Sequence, residues 1–374
     1  MVFRGRLAIF FQICLFLVPF LTSCQFTRYI FWNYADVGDM NKFPADTLRN
    51  TGSVFNFAVS PAPVKVTLPG AFAKESNSRS FTEFLDKQKT LAFLVIRNDS
   101  IVYEVYFNRY SKSSLIPAFS VTKSFISALT GIALSEGYIK SIDQPVTDFL
   151  PGLKDPGMSR VSLRNLLTMR SGIKFDESYN KPWCEAATFY YGTNLPRLTL
   201  KLKTLSEPGK SYEYQSGNTQ LLGMALEHAT GRTLSEYLEE KIWNPLGMES
   251  PATWNYDSKR YHQIKAFCCI NARARDFARF GRLYLNRGNW QGKSIIPESW
   301  VKESLTITND SKDSQGYPYT YQWRVTPEGN FFAKGILGQF IYVCPQKNII
   351  IVRMGESAGK IVWPELFHQL LDQF

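Results

Sequence analysis

Histidine is scarce in this sequence, and its scarcity limits the chemistry available. His228, His262 and His368 are the only three histidines among 374 residues. None of them stands beside a carboxylate in a catalytic-looking segment, and no G-x-S-x-G motif is present, which argues against a Ser-His-Asp hydrolase. No H-x-x-x-H pair or His/Asp cluster has a metal-binding spacing. We therefore expect no metal site and no cofactor.

Runs of basic residues are also missing, although the formal net charge is +11. The lysines and arginines are scattered, and neither a zinc-binding spacing nor a nucleic-acid-binding motif occurs. This distribution is typical of a solvated basic surface. We expect no nucleic-acid partner, while a mild attraction to anionic lipid or cell-wall polymer remains an alternative.

The apolar stretch near the N-terminus, Leu7 to Phe20, is too short for a comfortable transmembrane span. Two arginines precede it, and Leu21-Thr22-Ser23-Cys24 follows and resembles a bacterial lipobox. We expect residues 1–23 to be a lipoprotein signal peptide and Cys24 to carry the lipid. The protein would then be anchored to a membrane of the bacterial envelope, on the periplasmic or outer-surface side. An ordinary signal peptide and a short uncleaved anchor are the alternatives.

Few cysteines remain for the folded domain once the leader is set aside. Of six cysteines, Cys14 and Cys24 belong to the leader and its lipid attachment point. The remaining four are Cys184, Cys268, Cys269 and Cys344. We expect the adjacent pair not to bond to each other; a disulfide is possible, but the spacing does not reveal its pairing. Buried thiols acting as small apolar residues are the expected state.

The most informative stretch is the apolar segment 117–129, in which Ser120 and Lys123 stand three residues apart. On a helix, residues i and i+3 share one face, so the amine can reach the hydroxyl. A serine hydroxyl becomes nucleophilic when a base takes its proton, and a lysine can be that base when apolar burial lowers its pKa. A helix N-terminus also favours a developing oxyanion. We predict Ser120 as nucleophile and Lys123 as its activator; a solvent-facing serine and lysine is the alternative.

A second pattern, Tyr214-x-Ser216, is predicted to lie on a loop before a helix at about 219–230. The helix is indicated by apolar residues that repeat with a 3.6 period. A tyrosine beside a lysine cation can act as a general base, although core packing is the simpler interpretation of this tyrosine.

The fold class follows from the order of the patterns. Strand patterns at 91–96 and 101–107 flank an Asn-Asp turn, and further strand patterns occupy 321–354. Helical patterns dominate the region between them. We predict an α/β (α+β) protein in which an antiparallel sheet is flanked by helices and carries an inserted, mostly helical lobe. A groove between sheet and lobe would hold the site.

The chain divides into the signal peptide 1–23, an N-terminal arm at 24–80 and a domain at 81–374. The proline-rich arm either wraps onto the domain or leads away from the membrane. Within the domain, residues 174–205 are predicted to be irregular and contain many aromatic residues. These aromatic residues line a substrate groove or form satellite core packing.

Three motifs in this order resemble those of the serine β-lactamase and penicillin-binding superfamily: Ser120-x-x-Lys123, Tyr214-x-Ser216 and the Lys334-Gly335 strand. Their flanking sequences are more specific. They are similar to class C β-lactamase-like proteins, above all to the 6-aminohexanoate-dimer hydrolase and esterase branch. These flanking segments are 119–124, 166–172, 222–231 and 274–281.

The resemblance implies roles for the first two motifs. Ser120 would attack a carbonyl and form an acyl-enzyme, and Lys123 would take or relay its proton. Tyr214, hydrogen-bonded to Lys123, would protonate the leaving group and later activate water.

The resemblance also implies an oxyanion hole formed by the backbone N–H groups of Ser120 and of Ile336, the latter on the edge strand beside Gly335. Ser216 would help to hold the Lys–Tyr pair or the substrate. The sequence departs from the β-lactamase pattern in two places. Ala333 stands where the K-T-G motif has its lysine, and Ser216 stands where the second motif has asparagine.

The function expected from these features is hydrolysis of a small-molecule ester or amide by an acyl-enzyme mechanism. One alternative is a non-catalytic or weakly active module that binds or senses cell-wall peptide. Another is a D-Ala-D-Ala carboxypeptidase or β-lactamase. The latter needs a carboxylate anchor, for which Arg324 and Lys334 are candidates.

Overall fold

The computed structural model describes residues 24–32, 34–179, 181–249 and 251–374. The expected signal peptide, residues 1–23, lies outside the described residues, and Cys24 opens the first described helix. Within these ranges, no helix is both long and apolar enough to cross a membrane.

Helices and strands are interspersed along the chain, and strands from its two ends pair in one sheet. The helices are α1 (Cys24–Trp32), α2 (Gly70–Ser76), α3 (Phe81–Lys87), α4 (Thr122–Ser135), α5 (Leu163–Leu167), α6 (Glu185–Tyr191), α7 (Leu195–Thr199), α8 (Ser216–Thr230), α9 (Leu234–Leu238), α10 (Ala274–Leu285), α11 (Glu298–Leu305) and α12 (Trp363–Leu370). The strands are β1 (Ala45–Leu48), β2 (Ala58–Val59), β3 (Thr90–Arg97), β4 (Ser100–Tyr106), β5 (Ile116–Pro117), β6 (Ala252–Asn255), β7 (Ile270–Ala272), β8 (Asn289–Trp290), β9 (Lys293–Ser294), β10 (Arg324–Val325), β11 (Phe331–Gly335), β12 (Gln339–Cys344) and β13 (Ile349–Gly355).

A seven-stranded sheet with the order β10-β11-β12-β13-β3-β4-β2 forms the centre of the molecule. Its neighbouring strands are antiparallel, except that β2 pairs parallel to β4. Side chains alternate between the two faces of a strand. In β3, Leu94 and Ile96 therefore belong to one buried cluster, whereas Phe93 and Val95 belong to another. Helices pack on both faces, which confirms the predicted fold class.

The predicted hairpin joins β3 to β4. Asn98 and Asp99 at its turn have φ values of 50° and 59°. A two-residue turn of this kind requires a positive φ at both positions, and asparagine and aspartate tolerate it. The turn residues named from the sequence therefore fix this part of the sheet.

The N-terminal arm wraps onto the domain, through a second sheet with the order β1-β6-β7-β5. Strand β1 of the arm pairs with β6. At the other edge β5, which comes just before Ser120, pairs with β7. The small sheet therefore fixes both the arm and the backbone that leads into the predicted nucleophile.

Most aromatic residues of the segment 174–205 are core residues. The segment contains α6 and α7, where the sequence predicted an irregular loop. Phe175, Phe189, Tyr190 and Tyr191 are each no more than 4% exposed. Trp183 is the exception, at 73%. Core packing is thus the better interpretation for most of these side chains.

The expectation that Cys268 and Cys269 do not bond to each other was wrong, because the two sulfur atoms form a disulfide. In an extended strand, successive side chains point to opposite faces. Cys269 instead has a φ of 80°, and this left-handed backbone lets the two side chains meet. The expected free, buried thiols are found at Cys184 and Cys344.

Gly131 in α4 allows Trp300 of α11 to pack against the helix. A Cβ at position 131 would lie 2.3 Å from Cγ of Trp300, and this ring is only 3% exposed. Alanine gains about 1 kcal/mol of helix propensity over glycine, but overpacking a core typically costs about 1–3 kcal/mol or more. We expect Gly131→Ala to be the less stable protein in urea denaturation. Gly70→Ala at the start of α2 is the control, because no atom lies within 4 Å of the added Cβ. Equal stability of both variants would contradict this packing.

Candidate active site

Ser120 lies in a 3-10 turn, Phe119–Val121, that runs directly into α4. The helix itself begins at Thr122, slightly later than the sequence suggested. Phe119 has a φ of 46° and is 2% exposed. Such a left-handed backbone costs a non-glycine residue of order 1–3 kcal/mol and is typical of functional sites. The turn places Ser120 at the N-terminal end of α4, where the helix dipole favours negative charge.

Lys123 connects three segments of the chain and is only 1% exposed. Its amine donates to Ser120 Oγ at 3.0 Å, to Ser216 Oγ at 3.2 Å and to the main-chain oxygen of Phe267 at 2.8 Å. A lysine ammonium has three N–H donors, so each of them has a partner. The structure thus brings Ser120, Lys123 and Ser216 together and adds the Phe267 carbonyl, which sequence reasoning did not find.

Tyr214 lies beside Lys123 but contacts it through the face of its ring. Lys123 Nζ is 5.1 Å from the ring centroid, and Arg324 Cζ is 5.6 Å from the same centroid. Because the N–H groups of Lys123 are directed to other oxygens, the expected Lys123–Tyr214 hydrogen bond is not formed in this structure. The observed contact is a cation–π interaction. Tyr319 packs edge-on at 5.9 Å and supports the Tyr214 ring.

Ser216 is the first residue of α8 and not, as expected, part of the preceding loop. Its backbone N–H and its hydroxyl both donate to the Glu177 carboxylate, each at 2.6 Å. A carboxylate is stabilised at this position by the free N–H groups and the positive end of the helix dipole. Sequence reasoning missed Glu177. It lies 39 residues before Ser216, inside the aromatic segment, and belongs to no motif.

Glu177 and Lys123 are connected through the Ser216 hydroxyl, which accepts from the amine and donates to the carboxylate. Burial raises the pKa of Glu177 above its usual 4.5, while Lys123 and the hydrogen bonds from Ser216 oppose that rise. Tyr179 lies nearby, and its pKa is raised first by burial and then by Glu177. The four polar side chains Ser120, Lys123, Ser216 and Glu177 thus form one continuous network, which is buried at Lys123 and Ser216 and partly buried at Ser120 and Glu177.

The local sequence explains why Glu177 reaches the start of α8. Gln215 donates to the main-chain oxygens of Ile173 and Phe175, at 3.0 and 3.3 Å. Gly217 leaves room for the Phe175 ring, since a Cβ there would lie 2.6 Å from it. The segment that leads to Glu177 is therefore fixed against the helix that carries Ser216.

Gly335, the last residue of β11, lies beside the Ser120 turn. A Cβ at this position would lie 2.5 Å from the main-chain oxygen of Ala118 and 3.1 Å from the backbone nitrogen of Ser120. Glycine permits this close approach of two backbones. Ile336 follows directly and is 39% exposed, but it lies in a 3-10 turn and not on an edge strand as expected. The expected oxyanion segments, Ser120 and Gly335-Ile336, are thus adjacent in the structure.

The two candidate carboxylate anchors differ in their partners. Arg324 forms a buried ion pair with Asp313 at 2.6 Å. Lys334 donates to the neutral amide of Gln315 at 2.5 Å. Burial lowers the pKa of Lys334 to about 8, and the neighbouring Arg324 acts in the same direction. The charge of Arg324 is therefore balanced within the protein to a greater degree than that of Lys334.

Substitution of Glu177 by glutamine is expected to weaken the network that holds Lys123 and so to lower the reactivity of Ser120. Glutamine offers an N–H group where one carboxylate oxygen accepts from Ser216, and a hydrogen bond to a charged group contributes about 1.5–3 kcal/mol. The variant mimics protonated Glu177, whose pKa lies above 4.5. Wild-type activity should consequently fall with decreasing pH before 4.5 is reached, and Glu177→Gln should be impaired at neutral pH. Rate profiles of both proteins over pH provide the measurement, and an unimpaired variant at pH 7 would contradict the role of the carboxylate.

The fold and this network define a class of protein. A mostly antiparallel sheet is covered by helices, and a serine that is hydrogen-bonded to a buried lysine lies between β11 and the start of α8. This combination is typical of serine hydrolases of the β-lactamase and penicillin-binding superfamily. The model of the beta-lactamase family matches residues 78–361. The chain belongs to that family, which confirms the resemblance recognised in the motifs.

Two relatives illustrate the range of activities in the family. The 6-aminohexanoate-dimer hydrolase of Paenarthrobacter ureafaciens is 26% identical over 367 residues, which cover 93% of this chain and 89% of that protein. A D-aminopeptidase of Brucella anthropi is 33% identical over 139 residues, but these cover only 36% of this chain and 25% of the relative. The family match and the first of these relatives identify this protein as a serine hydrolase.

Solved structures show the same fold. A proposed 6-aminohexanoate-dimer hydrolase from Bacillus anthracis has a TM-score of 0.79 at 24% identity, covering 92% of this chain and 94% of that one. EstCE1, described as a hydrolase with promiscuous acyltransferase activity, has a TM-score of 0.62 at 16% identity, covering 81% of this chain and 98% of that one.

Proposed function

We propose that this protein hydrolyses small esters or amides through an acyl-enzyme on Ser120. The observation that carries the proposal is the 3.0 Å separation of Lys123 Nζ and Ser120 Oγ. In the reaction this hydrogen bond reverses, so that the hydroxyl donates to Nζ, which accepts its proton while the serine oxygen attacks the substrate carbonyl. The backbone N–H groups of Ser120 and Ile336 bind the resulting oxyanion, since fixed donors at that point stabilise the charge that develops.

Tyr214 is the proposed proton donor to the leaving group and, after acylation, the base that activates water. The position of its ring beside Lys123 and Arg324, next to the nucleophile turn, supports this role. Ser216 and Glu177 are proposed positioning residues, because Ser216 accepts a hydrogen bond from the Lys123 amine and Glu177 in turn accepts from Ser216. Water enters once the leaving group has departed, and hydrolysis regenerates the free hydroxyl of Ser120.

The substrate class is a small ester or amide, and the proposed location is the bacterial envelope. Two relatives carry names that denote amide or peptide hydrolysis, which supports the amide branch. The lipobox-like sequence ending at Cys24 supports a lipid anchor. Incorporation of labelled palmitate into the full chain, and its loss in Cys24→Ala, would test the anchor independently of the chemistry.

Labelling with a fluorophosphonate tests the proposed nucleophile. We expect one covalent adduct, localised to Ser120 by fragmentation of the tryptic peptide 113–123. Short-chain p-nitrophenyl esters, the 6-aminohexanoate dimer, D-amino-acid amides and nitrocefin then separate the substrate classes. Folded protein that forms no adduct and turns over none of these compounds would overturn the proposal.

The binding or sensor module is a second candidate, favoured by Ala333 at the position of the missing motif lysine. It differs from the hydrolase in the fate of the acyl group. A stable adduct on Ser120 without turnover would support it, whereas a burst followed by steady release of product would exclude it.

A further inference from the structure

The disulfide between Cys268 and Cys269 lies within the segment that holds the nucleophile turn. Phe267, just before it, accepts a hydrogen bond from Lys123 Nζ at 2.8 Å. Ile270, just after it, accepts from the backbone N–H of Ala118 at 2.8 Å and donates to Thr122 Oγ1 at 3.2 Å. The disulfide is thus enclosed, on both sides along the chain, by contacts to the segment that contains Ser120 and Lys123.

The backbone of the disulfide itself is held from the opposite side by β6. Trp254 Nε1 donates to the main-chain oxygen of Cys268 at 2.9 Å, and the backbone N–H of Asn255 donates to that of Cys269 at 3.2 Å. Each cysteine is 4% exposed. Cys269 has a φ of 80°, a backbone conformation that residues with a Cβ rarely adopt. A covalent ring between adjacent side chains restricts the backbone dihedral angles available to this peptide.

We propose that the Cys268–Cys269 disulfide is a redox-sensitive positioning element that holds the Phe267 carbonyl against Lys123, so that its reduction slows acyl transfer to Ser120. The inference rests on the proposed function, because it acts through the Ser120–Lys123 pair. The disulfide touches neither substrate nor reacting atoms. It acts through one hydrogen bond on the group that takes the serine proton.

The co-reactant is a small-molecule dithiol. Its thiolate attacks one sulfur of the disulfide, the bond between Cys268 and Cys269 breaks, and a mixed disulfide forms. The second thiol of the reductant displaces the remaining cysteine. In sum, the dithiol is oxidised to a disulfide, and Cys268 and Cys269 take up two electrons and two protons as free thiols. Cys269 is then free to leave its left-handed conformation, and the Phe267 carbonyl moves with it.

The sequence provides a convenient readout of the redox state. Trypsin cleavage after Lys265 and Arg273 releases residues 266–273, which contain Cys268 and Cys269 and no other cysteine. The full-length chain is denatured in the presence of iodoacetamide, either untreated or after reduction with dithiothreitol. The mass of this peptide is then measured. We expect no alkylation before treatment and two alkylated cysteines after it. An alkylated peptide from untreated protein would overturn the inference, because the bond would not exist.

The effect on activity is measured by comparing two redox states of the protein. The quantities compared are the fluorophosphonate labelling rate of Ser120 and the kcat and KM for an ester. We expect reduction to lower the labelling rate and kcat about tenfold or more, since small misplacements of a catalytic group are costly. KM should change little, because substrate contacts are untouched. Reoxidation by oxidised glutathione should restore the rate. Circular dichroism of the reduced protein confirms that it remains folded.

Variants separate this disulfide from the other thiols. Cys268→Ser/Cys269→Ser should reproduce the slow, reduced form and no longer respond to dithiothreitol. Cys344→Ala, at a free buried thiol, should respond as wild type does. Equal labelling in both redox states of the wild type overturns the inference alone. Absence of labelling in both states overturns the proposed function and this inference with it.

Discussion

Lys123→Met is expected to lower the rate of Ser120 acylation by about 10²–10⁴-fold, the usual contribution of a positioned base. Methionine has a similar length but cannot accept the hydroxyl proton. It also leaves Ser120 Oγ, Ser216 Oγ and the Phe267 oxygen without the amine that now donates to each of them. Stopped-flow labelling with a fluorophosphonate measures the acylation step directly. Far-ultraviolet circular dichroism shows whether the variant has folded.

Lys123→Arg is the informative companion, because it retains a cation with several N–H donors. Arginine is not deprotonated in proteins, so it can hold the network together but cannot take a proton. We expect this variant to be as slow as Lys123→Met. Near-wild-type labelling of folded Lys123→Arg would show that the cation matters and that proton transfer to residue 123 does not.

Ser120→Ala should abolish covalent labelling and lower ester turnover by about 10⁴–10⁶-fold, as loss of the nucleophile does in other serine enzymes. The effect is larger than for Lys123 because no acyl-enzyme can form. The substitution itself is small: the side chain of Ser120 is partly buried in a short turn whose backbone is held by other residues. The variant should therefore fold, and its spectrum and melting temperature should stay close to those of the wild type.

Ser113→Ala is the matched control for that experiment. Ser113 is an exposed serine in the same tryptic peptide, so it tests whether the label reacts with accessible hydroxyls in general. We expect full labelling and turnover in this variant. Persistent turnover in Ser120→Ala would place the nucleophile elsewhere and would remove the basis of the proposed mechanism.

The Ser120 and Lys123 effects are not expected to add. Residues that act as a unit are strongly non-additive in catalysis, so the double variant should be no slower than Ser120→Ala alone. Independent, additive losses would indicate that Lys123 supports the fold and does not act on the nucleophile.

The parts of the fold that the sequence predicted best are those governed by local rules. The hairpin at Asn98-Asp99 depends on turn residues that tolerate a positive φ. The amphipathic helix α10 and the C-terminal strands could be predicted from the periodicity of their apolar residues. The boundaries of these elements shift by only a few residues between sequence and structure. The aromatic segment 174–205 was harder to predict, because α6 and α7 are short and pack against α8, which is distant in sequence.

The site was predictable only in part. The i, i+3 spacing alone brings the Lys123 amine close to the Ser120 hydroxyl, independently of the rest of the fold. Glu177 shows the limit, since it joins the network only because the segment before it is bound to the start of α8. No spacing or periodicity relates position 177 to position 216. The disulfide shows a second limit, because it depends on a left-handed backbone at Cys269 that nothing in the local sequence indicates.

The sequence by itself determined the chemistry that this protein carries: a serine and a lysine one helical turn apart, a tyrosine before a second helix, and a family pattern that identifies a hydrolase. Tertiary structure decided which oxygens hold the lysine. The three acceptors of Lys123 come from positions 120, 216 and 267. The physical reason is that a buried amine needs a partner for each N–H group, and in a folded chain those partners are selected by proximity in space.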